Sequence, residues 1–179
     1  MTFKKILVPT DFSIHAGLAL HHALDFARVF EASVTLLHTY EWPTPLTIEA
    51  GAYLSDDMIR AMQREAQSSL DEATAQAQRH WKGAAGAIAC ELAVGPAALR
   101  ITEKAKQGHY DLVVMGTHGR TGLKRLLIGS VAERVVRSAS CPVLTVRATL
   151  DSLLHDEEPS AETAHLAPPY ATAARSLSK

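Results

Sequence analysis

The chain has 179 residues, 47% of them apolar and 21% charged, with a formal net charge of −1. That is the composition of an ordinary globular domain, large enough to bury a core. The near-neutral balance speaks against nucleic acid or an anionic membrane as partner, and no apolar stretch approaches a membrane span or a signal peptide, so a cytoplasmic protein is expected.

In chain order, "FKKILVPTD" reads as a short apolar strand, Lys5 to Val8, stopped by Pro9, with Asp11 or Ser13 placed to cap a helix. Ile14, Leu18, Ala19, Leu24, Ala27 and Phe30 then recur near the helical period. "SVTLLHTY", Ser33 to Tyr40, is a second strand whose continuous apolar run suits burial on both faces. A loop with Trp42, Pro43 and Pro45 follows. A long helix rich in Ala, Gln, Glu and Arg is expected from about Ser55 to Trp81, ended by Gly83 and Gly86. Ala87 to Val94 is the third strand. "PAALRITEKAKQG" is a helix with proline at its start and Gly108 just past its end. "YDLVVMG" is the fourth strand. Beyond a glycine-rich loop, "GSVAERVVRSA" is a helix in which Ser130 and Glu133 have the spacing of a capping box. "CPVLTVR" is the fifth strand.

The alternation β-α-β-α-β-α-β-α-β predicts an α/β fold: a five-stranded parallel sheet with helices on both faces, three layers in all. The pattern stops near Ala148. Residues 149–179 are rich in Ala, Pro and Ser and carry Asp151, Asp156, Glu157, Glu158 and Glu162 against Arg175 and Lys179. They are read as an acidic, disordered tail beyond a domain at 1–148. Cys90 and Cys141 have no CxxC spacing and no His/Cys cluster around them. They are expected as small hydrophobes in or beside strands, not as a disulfide or zinc site.

Ligands of open parallel sheets bind beyond the carboxyl ends of the strands, where strand order reverses. With the order 3-2-1-4-5, the ends of strands one ("PTD") and four (Met115-Gly116) flank that crevice. The stretch "MGTHGRTGLKRLLIGSVAERVV" leaves strand four there. Gly116 and Gly119 permit a tight turn and close backbone approach, and a helix N-terminus follows Gly129 with unsatisfied N–H groups and a partial positive charge. Ser130 adds a hydroxyl, and Arg120, Lys124 and Arg125 add positive charge. These features suit a phosphate; a helix cap and a plain loop would also account for them. No G-x-x-x-x-G-K-[ST] is present, and no G-x-G-x-x-G follows the first strand, so neither a Walker P-loop nor a Rossmann dinucleotide site is supported.

The spacing G-x-x-G-x9-G-[ST], met by Gly116, Gly119, Gly129 and Ser130, resembles the nucleotide-binding signature of the universal stress protein family. "KKILVPTDFS", "LLHTYE", "VGPAALRI", "DLVVMGTHGRTG" and "LIGSVAERVVRSASCPVLTVR" resemble that family in order and spacing over about residues 1–147. The resemblance implies an adenine-nucleotide α-hydrolase-like, Rossmann-like fold with ATP, or AMP or another adenine nucleotide, at the switch point. It puts Pro9 and Thr10 on the adenine side, and Asp11 near the ribose, the phosphates or their Mg²⁺. Thr39 falls where the family often has valine against the base. Met115 and Gly116 form the base and ribose wall. His118, Gly119, Arg120, Gly129, Ser130 and Val131 form the phosphate loop and helix start. Ala132 departs from relatives that carry Thr or Ser there. Strand Val143–Arg147 is placed at the sheet edge, which implies a homodimer.

No nucleophile is paired with a base and no carboxylates are brought together by spacing, so a nucleotide-sensing protein and not an efficient enzyme is the first expectation, and the resemblance implies that it acts as a stress-response regulator on a protein partner. In that reading ATP orders the Arg120–Ile128 loop. A slow Mg-dependent ATPase or autophosphorylating enzyme, and a nucleotide-free dimeric scaffold, are the alternatives. His21, His22, His38, His80 and His109 have no metal spacing and read as structural or exposed.

Overall fold

The computed structural model describes residues 2–41, 56–80, 88–117 and 128–147. Five strands, β1 (Lys5–Thr10), β2 (Ser33–Tyr40), β3 (Ala89–Val94), β4 (Leu112–Gly116) and β5 (Val143–Val146), alternate with four helices, α1 (Ile14–Phe30), α2 (Asp56–His80), α3 (Ala97–Gln107) and α4 (Ser130–Ser138). All neighbouring strands pair in parallel, in the order β3-β2-β1-β4-β5. The expected fold class and strand order are therefore observed. The tail, the loop with Trp42, Pro43 and Pro45, and Gly83 and Gly86 lie outside the described residues.

Side chains alternate across each strand, and the three inner strands bury both sets. Ile6, Val8, Val34, Leu36, Leu112 and Val114 meet Leu18, Ala19, Ala23 and Ala27 of α1 and Leu70 and Ala77 of α2. On the opposite face, Leu7, Leu37, Val113 and Met115 meet Ile101 and Ala105 of α3 and Ala132 and Val135 of α4. The chain thus forms three layers. Each fully buried Leu or Ile contributes about 1.5–3 kcal/mol relative to exposure, so the central strands anchor everything at their ends. The buried alanines of α1, Ala19, Ala23 and Ala27, let that helix sit close to the sheet.

Three details differ from the expectation. Pro9 does not stop β1; the strand runs through it to Thr10. Pairing with β4 covers only Ile6↔Leu112 and Leu7↔Val113, whereas β2 is followed through Pro9↔Leu37 to Thr10↔His38. The proline therefore lies where one neighbour has already separated, a position that tolerates a missing ladder donor better than mid-sheet. Second, α4 begins with Gly129 as N-cap, without a side-chain cap bond, so Ser130 is the first helical residue and the Ser130/Glu133 capping box does not form. Third, Cys90 in β3 and Cys141 just before β5 stand where expected and are free thiols, but they are only half-buried and not the buried small hydrophobes expected. Burial, and then the charge of Asp111, push the Cys141 thiol upward from its ordinary value.

The other helix ends follow familiar chemistry. The Ser13 hydroxyl accepts from the Ala16 N–H at 3.3 Å and caps α1, and Glu31 ends that helix in the left-handed conformation at φ 52°. Gly95, at φ 122°, makes the turn from β3 into α3, and the Arg100 Nε donates to the Val94 carbonyl at 2.6 Å across it. This turn delivers Ala97 and Ile101 to the carboxyl end of the sheet.

Candidate functional site: a cleft at the switch point

Beyond Leu7↔Val113, β1 and β4 separate, and a cleft of about 210 Å³ opens between their carboxyl ends. Its lining comes from four places. Pro9, Thr10, Asp11 and Ala16 run from the end of β1 into α1; Met115, Gly116 and Thr117 lead out of β4; Gly129, Ser130, Val131 and Ala132 start α4; Leu37, Thr39, Ala97 and Ile101 form the floor and far side. Nine expected site residues, Pro9, Thr10, Asp11, Thr39, Met115, Gly116, Gly129, Ser130 and Val131, are thus brought together. His118, Gly119 and Arg120 lie outside the described residues, as do Lys124 and Arg125.

One wall is the β1–α1 turn. The Phe12 N–H donates to the Thr10 Oγ1 at 3.0 Å, and the Ser13 N–H donates to the Asp11 Oδ1 at 3.1 Å. Phe12 is held at φ 63°, a left-handed conformation that is rare for an aromatic residue. Behind it, the buried His38 meets the Thr10 carbonyl through Nδ1 at 2.8 Å, and its ring lies 4.4 Å from that of Phe12. Nothing in the local sequence separates His38 from the other histidines; its place at the last pair of the β1–β2 ladder does.

The other wall is built from main chain. The buried Thr117 donates its N–H to the Val146 carbonyl at 2.9 Å and accepts the Gly129 N–H at 2.7 Å. This second bond ties the two stems of the 118–128 segment together and sets Gly129 as the N-cap, which is why Ser130 does not cap. The first bond within α4 runs from the Glu133 N–H to the Gly129 carbonyl at 2.9 Å. The N–H groups of Ser130, Val131 and Ala132 precede it, as the orphan donors of a helix start do, and all three residues line the cleft. Gly116 has a role the loop pattern does not reveal. A Cβ there would stand 2.8 Å from the His15 Cβ and 2.9 Å from its carbonyl carbon, so β4 passes directly against the first turn of α1.

The cleft is mostly apolar at its floor, through Leu37, Ile101, Ala97 and Met115, and polar at its rim. Asp11 is its one ionisable residue among the described lining. No cluster of three or more His, Cys, Asp or Glu capable of holding a metal occurs among the described residues. A shallower groove of about 370 Å³ continues between α3 and α4 through Ala97, Ser130 and Val131, past Leu99 and Arg134. No described helix is long and apolar enough to cross a membrane.

The universal stress protein family model matches residues 2–147. The chain belongs to the universal stress protein family. Universal stress protein MJ0531 of Methanocaldococcus jannaschii is 37% identical over 147 residues, covering 81% of this chain and 82% of the relative. The solved structure of MJ0577 from the same organism has a TM-score of 0.70 at 29% identity, covering 83% of this chain and 99% of that one. A universal stress protein from Archaeoglobus fulgidus, solved in complex with dAMP, shares the fold with a TM-score of 0.54 at 22% identity, over 82% of this chain and 99% of that one. The five-stranded parallel sheet of this universal stress protein, in the order β3-β2-β1-β4-β5, is thus the fold of its relatives.

Proposed function

We propose that this universal stress protein binds ATP, with AMP or another adenine nucleotide as close alternatives, in the β1–β4 cleft, and serves as a nucleotide-dependent regulator in the stress response. The observation that carries the reading is the start of α4. Three N–H groups without an intrahelical acceptor, and no side-chain cap, line the cleft across from the β1 end that carries Asp11. A helix terminus left open in this way is stabilised by an anion, and a phosphate is the anion whose size and oxygen count suit successive N–H groups. The apolar floor suits a flat base, with Thr39, Pro9 and Thr10 beside it and Met115 and Gly116 opposite. The dAMP complex of the Archaeoglobus fulgidus relative makes adenine nucleotides the class of molecule to try.

The residues present fit a nucleotide-bound Mg²⁺, which Asp11 would help hold; when bound, the ion supplies charge neutralisation for the phosphates. His118, Gly119 and Arg120 complete the phosphate side in this reading. Nucleotide then orders the segment from Arg120 to Ile128, whose stems Thr117 and Gly129 already hold together, and so changes a surface read by a protein partner. Among the described strands, Val143–Val146 lies at the sheet edge and pairs only with β4, and it is offered to a second copy as a dimer contact in the cytoplasm.

Calorimetry with ATP tests the site. Gly129 has φ −60° and ψ 149°, a backbone any residue adopts, so Gly129→Lys brings no left-handed strain and puts a long side chain at the helix start, and a thermal melt checks that the variant is folded. The wild-type protein is expected to bind ATP and the variant to give no binding heat. Equal binding by both sinks the assignment.

A further inference from the structure

We infer that His38 is a positioning residue of the cleft: its Nδ1–H holds the Thr10 carbonyl and thereby sets the β1–α1 turn that presents Thr10 and Asp11 to the ligand. The inference rests on the nucleotide reading for its ligand, but its geometry stands apart from it.

The β1–β2 register ends at Thr10↔His38, and Asp11 is already outside the strand. At that point the backbone ladder no longer dictates where the chain goes. A carbonyl acceptor 2.8 Å from Nδ1 requires that nitrogen to carry the proton, so His38 is the Nδ1–H tautomer when neutral and keeps the same bond when charged. His38 is only 6% exposed, which makes Thr10 a fixed partner and not a solvent contact. Two residues on, Phe12 stands at φ 63° with its ring tilted 39° to the His38 ring at 4.4 Å. An aromatic residue does not hold a left-handed conformation unless its surroundings compensate the strain. Here the compensation comes from the Thr10 Oγ1 accepting the Phe12 N–H, a bond that depends on His38 Nδ1 holding Thr10 in place, with the His38 ring tilted beside the Phe12 ring. One side chain of β2 therefore touches both ends of the Thr10–Phe12 turn, with Asp11 between them.

Substitutions separate the donor from the ring. His38→Asn keeps an N–H at the δ position; His38→Phe keeps a ring against Phe12 and loses the donor. ATP affinity by calorimetry is expected to stay within about threefold of wild type in His38→Asn and to fall about tenfold in His38→Phe, the scale of one buried hydrogen bond lost. Adding Phe12→Gly to His38→Phe removes the left-handed penalty and is expected to recover part of the loss. Circular dichroism melts run alongside identify any variant that is merely unfolded. Nitrogen NMR of wild type is expected to show a protonated Nδ1 on His38. In His38→Phe, the Phe12 carbon shifts are expected to leave their left-handed values. Equal ATP affinity in folded His38→Phe, equal loss in both single variants, or an unprotonated Nδ1 overturns the inference. If wild type binds no ATP, the nucleotide reading fails, and the Phe12 shifts alone decide whether His38 sets the turn.

Discussion

At the β1–α1 wall of the cleft, side chains do the holding: Thr10 Oγ1, Asp11 Oδ1 and Ser13 Oγ each accept a main-chain N–H within three residues, and His38 secures the Thr10 carbonyl from the neighbouring strand. At the β4–α4 wall the main chain does the same work, from Thr117 to Val146 and from Gly129 to Thr117, and no side chain caps the helix. A wall held by side chains is sensitive to each polar residue in it. One held by main chain tolerates side-chain changes and fails only where a backbone approach is blocked. It also leaves the α4 donors open, whereas Ser13 has already taken one at α1. The two walls thus divide the labour, one fixed and strained, the other open to an anion.

Gly116 is where the walls meet, and it carries the largest expected effect. Gly116→Ala drives a Cβ against His15 backbone and Cβ at 2.8–3.0 Å, and neither can rotate away. The first turn of α1 has to shift, carrying the Thr10–Ser13 turn with it. Chemical denaturation is expected to show a loss of about 1–3 kcal/mol, as for overpacking at a tight contact, and ATP affinity is expected to fall along with it. A variant that loses stability but binds ATP as before would make the two walls independent.

Asp11→Asn sharpens the comparison by splitting the two jobs given to one residue. The amide keeps an Oδ1 to accept the Ser13 N–H, so the turn and the melting temperature are expected to be unchanged. The charge is gone. The preference for Mg-ATP over metal-free ATP is expected to drop roughly fivefold, the worth of one ~1 kcal/mol charge interaction near a surface. An unaltered metal dependence would leave Asp11 with the turn alone.

Which parts of this were legible beforehand follows from the range of the interactions involved. Strands such as Ser33–Tyr40 and helices such as Ile14–Phe30 declare themselves by period and apolar run, and their alternation implies a parallel sheet without fixing its strand order. Of the nine expected residues in the cleft lining, Pro9, Thr10, Asp11, Met115, Gly116, Gly129 and Ser130 follow from which strand ends face a switch point, whereas Thr39 and Val131 follow only from the family resemblance. What local pattern could not supply was every feature set by a distant partner. Ser130 and Glu133 have capping-box spacing, but a bond between Gly129 and Thr117 moves the cap by one residue. Gly116 looks like part of a ligand turn, but its missing side chain makes room for His15. His38 looks like any other histidine until Thr10 is laid beside it. Pro9 reads as a strand end, but pairing to β2 carries the strand past it.

The smallest effect separates the two walls most cleanly, because it uses the same substitution at both helix starts. Ser13→Ala removes a cap bond from α1 and is expected to cost about 1 kcal/mol of stability in urea. Ser130→Ala removes no cap bond, since Gly129 is the N-cap and Ser130 is exposed, so its stability is expected to stay within about 0.5 kcal/mol of wild type. The order reverses for ATP. The Ser130 hydroxyl stands beside the open N–H groups of α4 and is expected to contribute to phosphate binding, while Ser13 lies outside the cleft lining and acts only through the helix it caps. Ser130→Ala is therefore expected to weaken ATP more than Ser13→Ala does, while destabilising the fold less. If the two variants rank the same way in both measurements, the hydroxyl of Ser130 serves its helix after all, and the division between a structural wall and a binding wall falls.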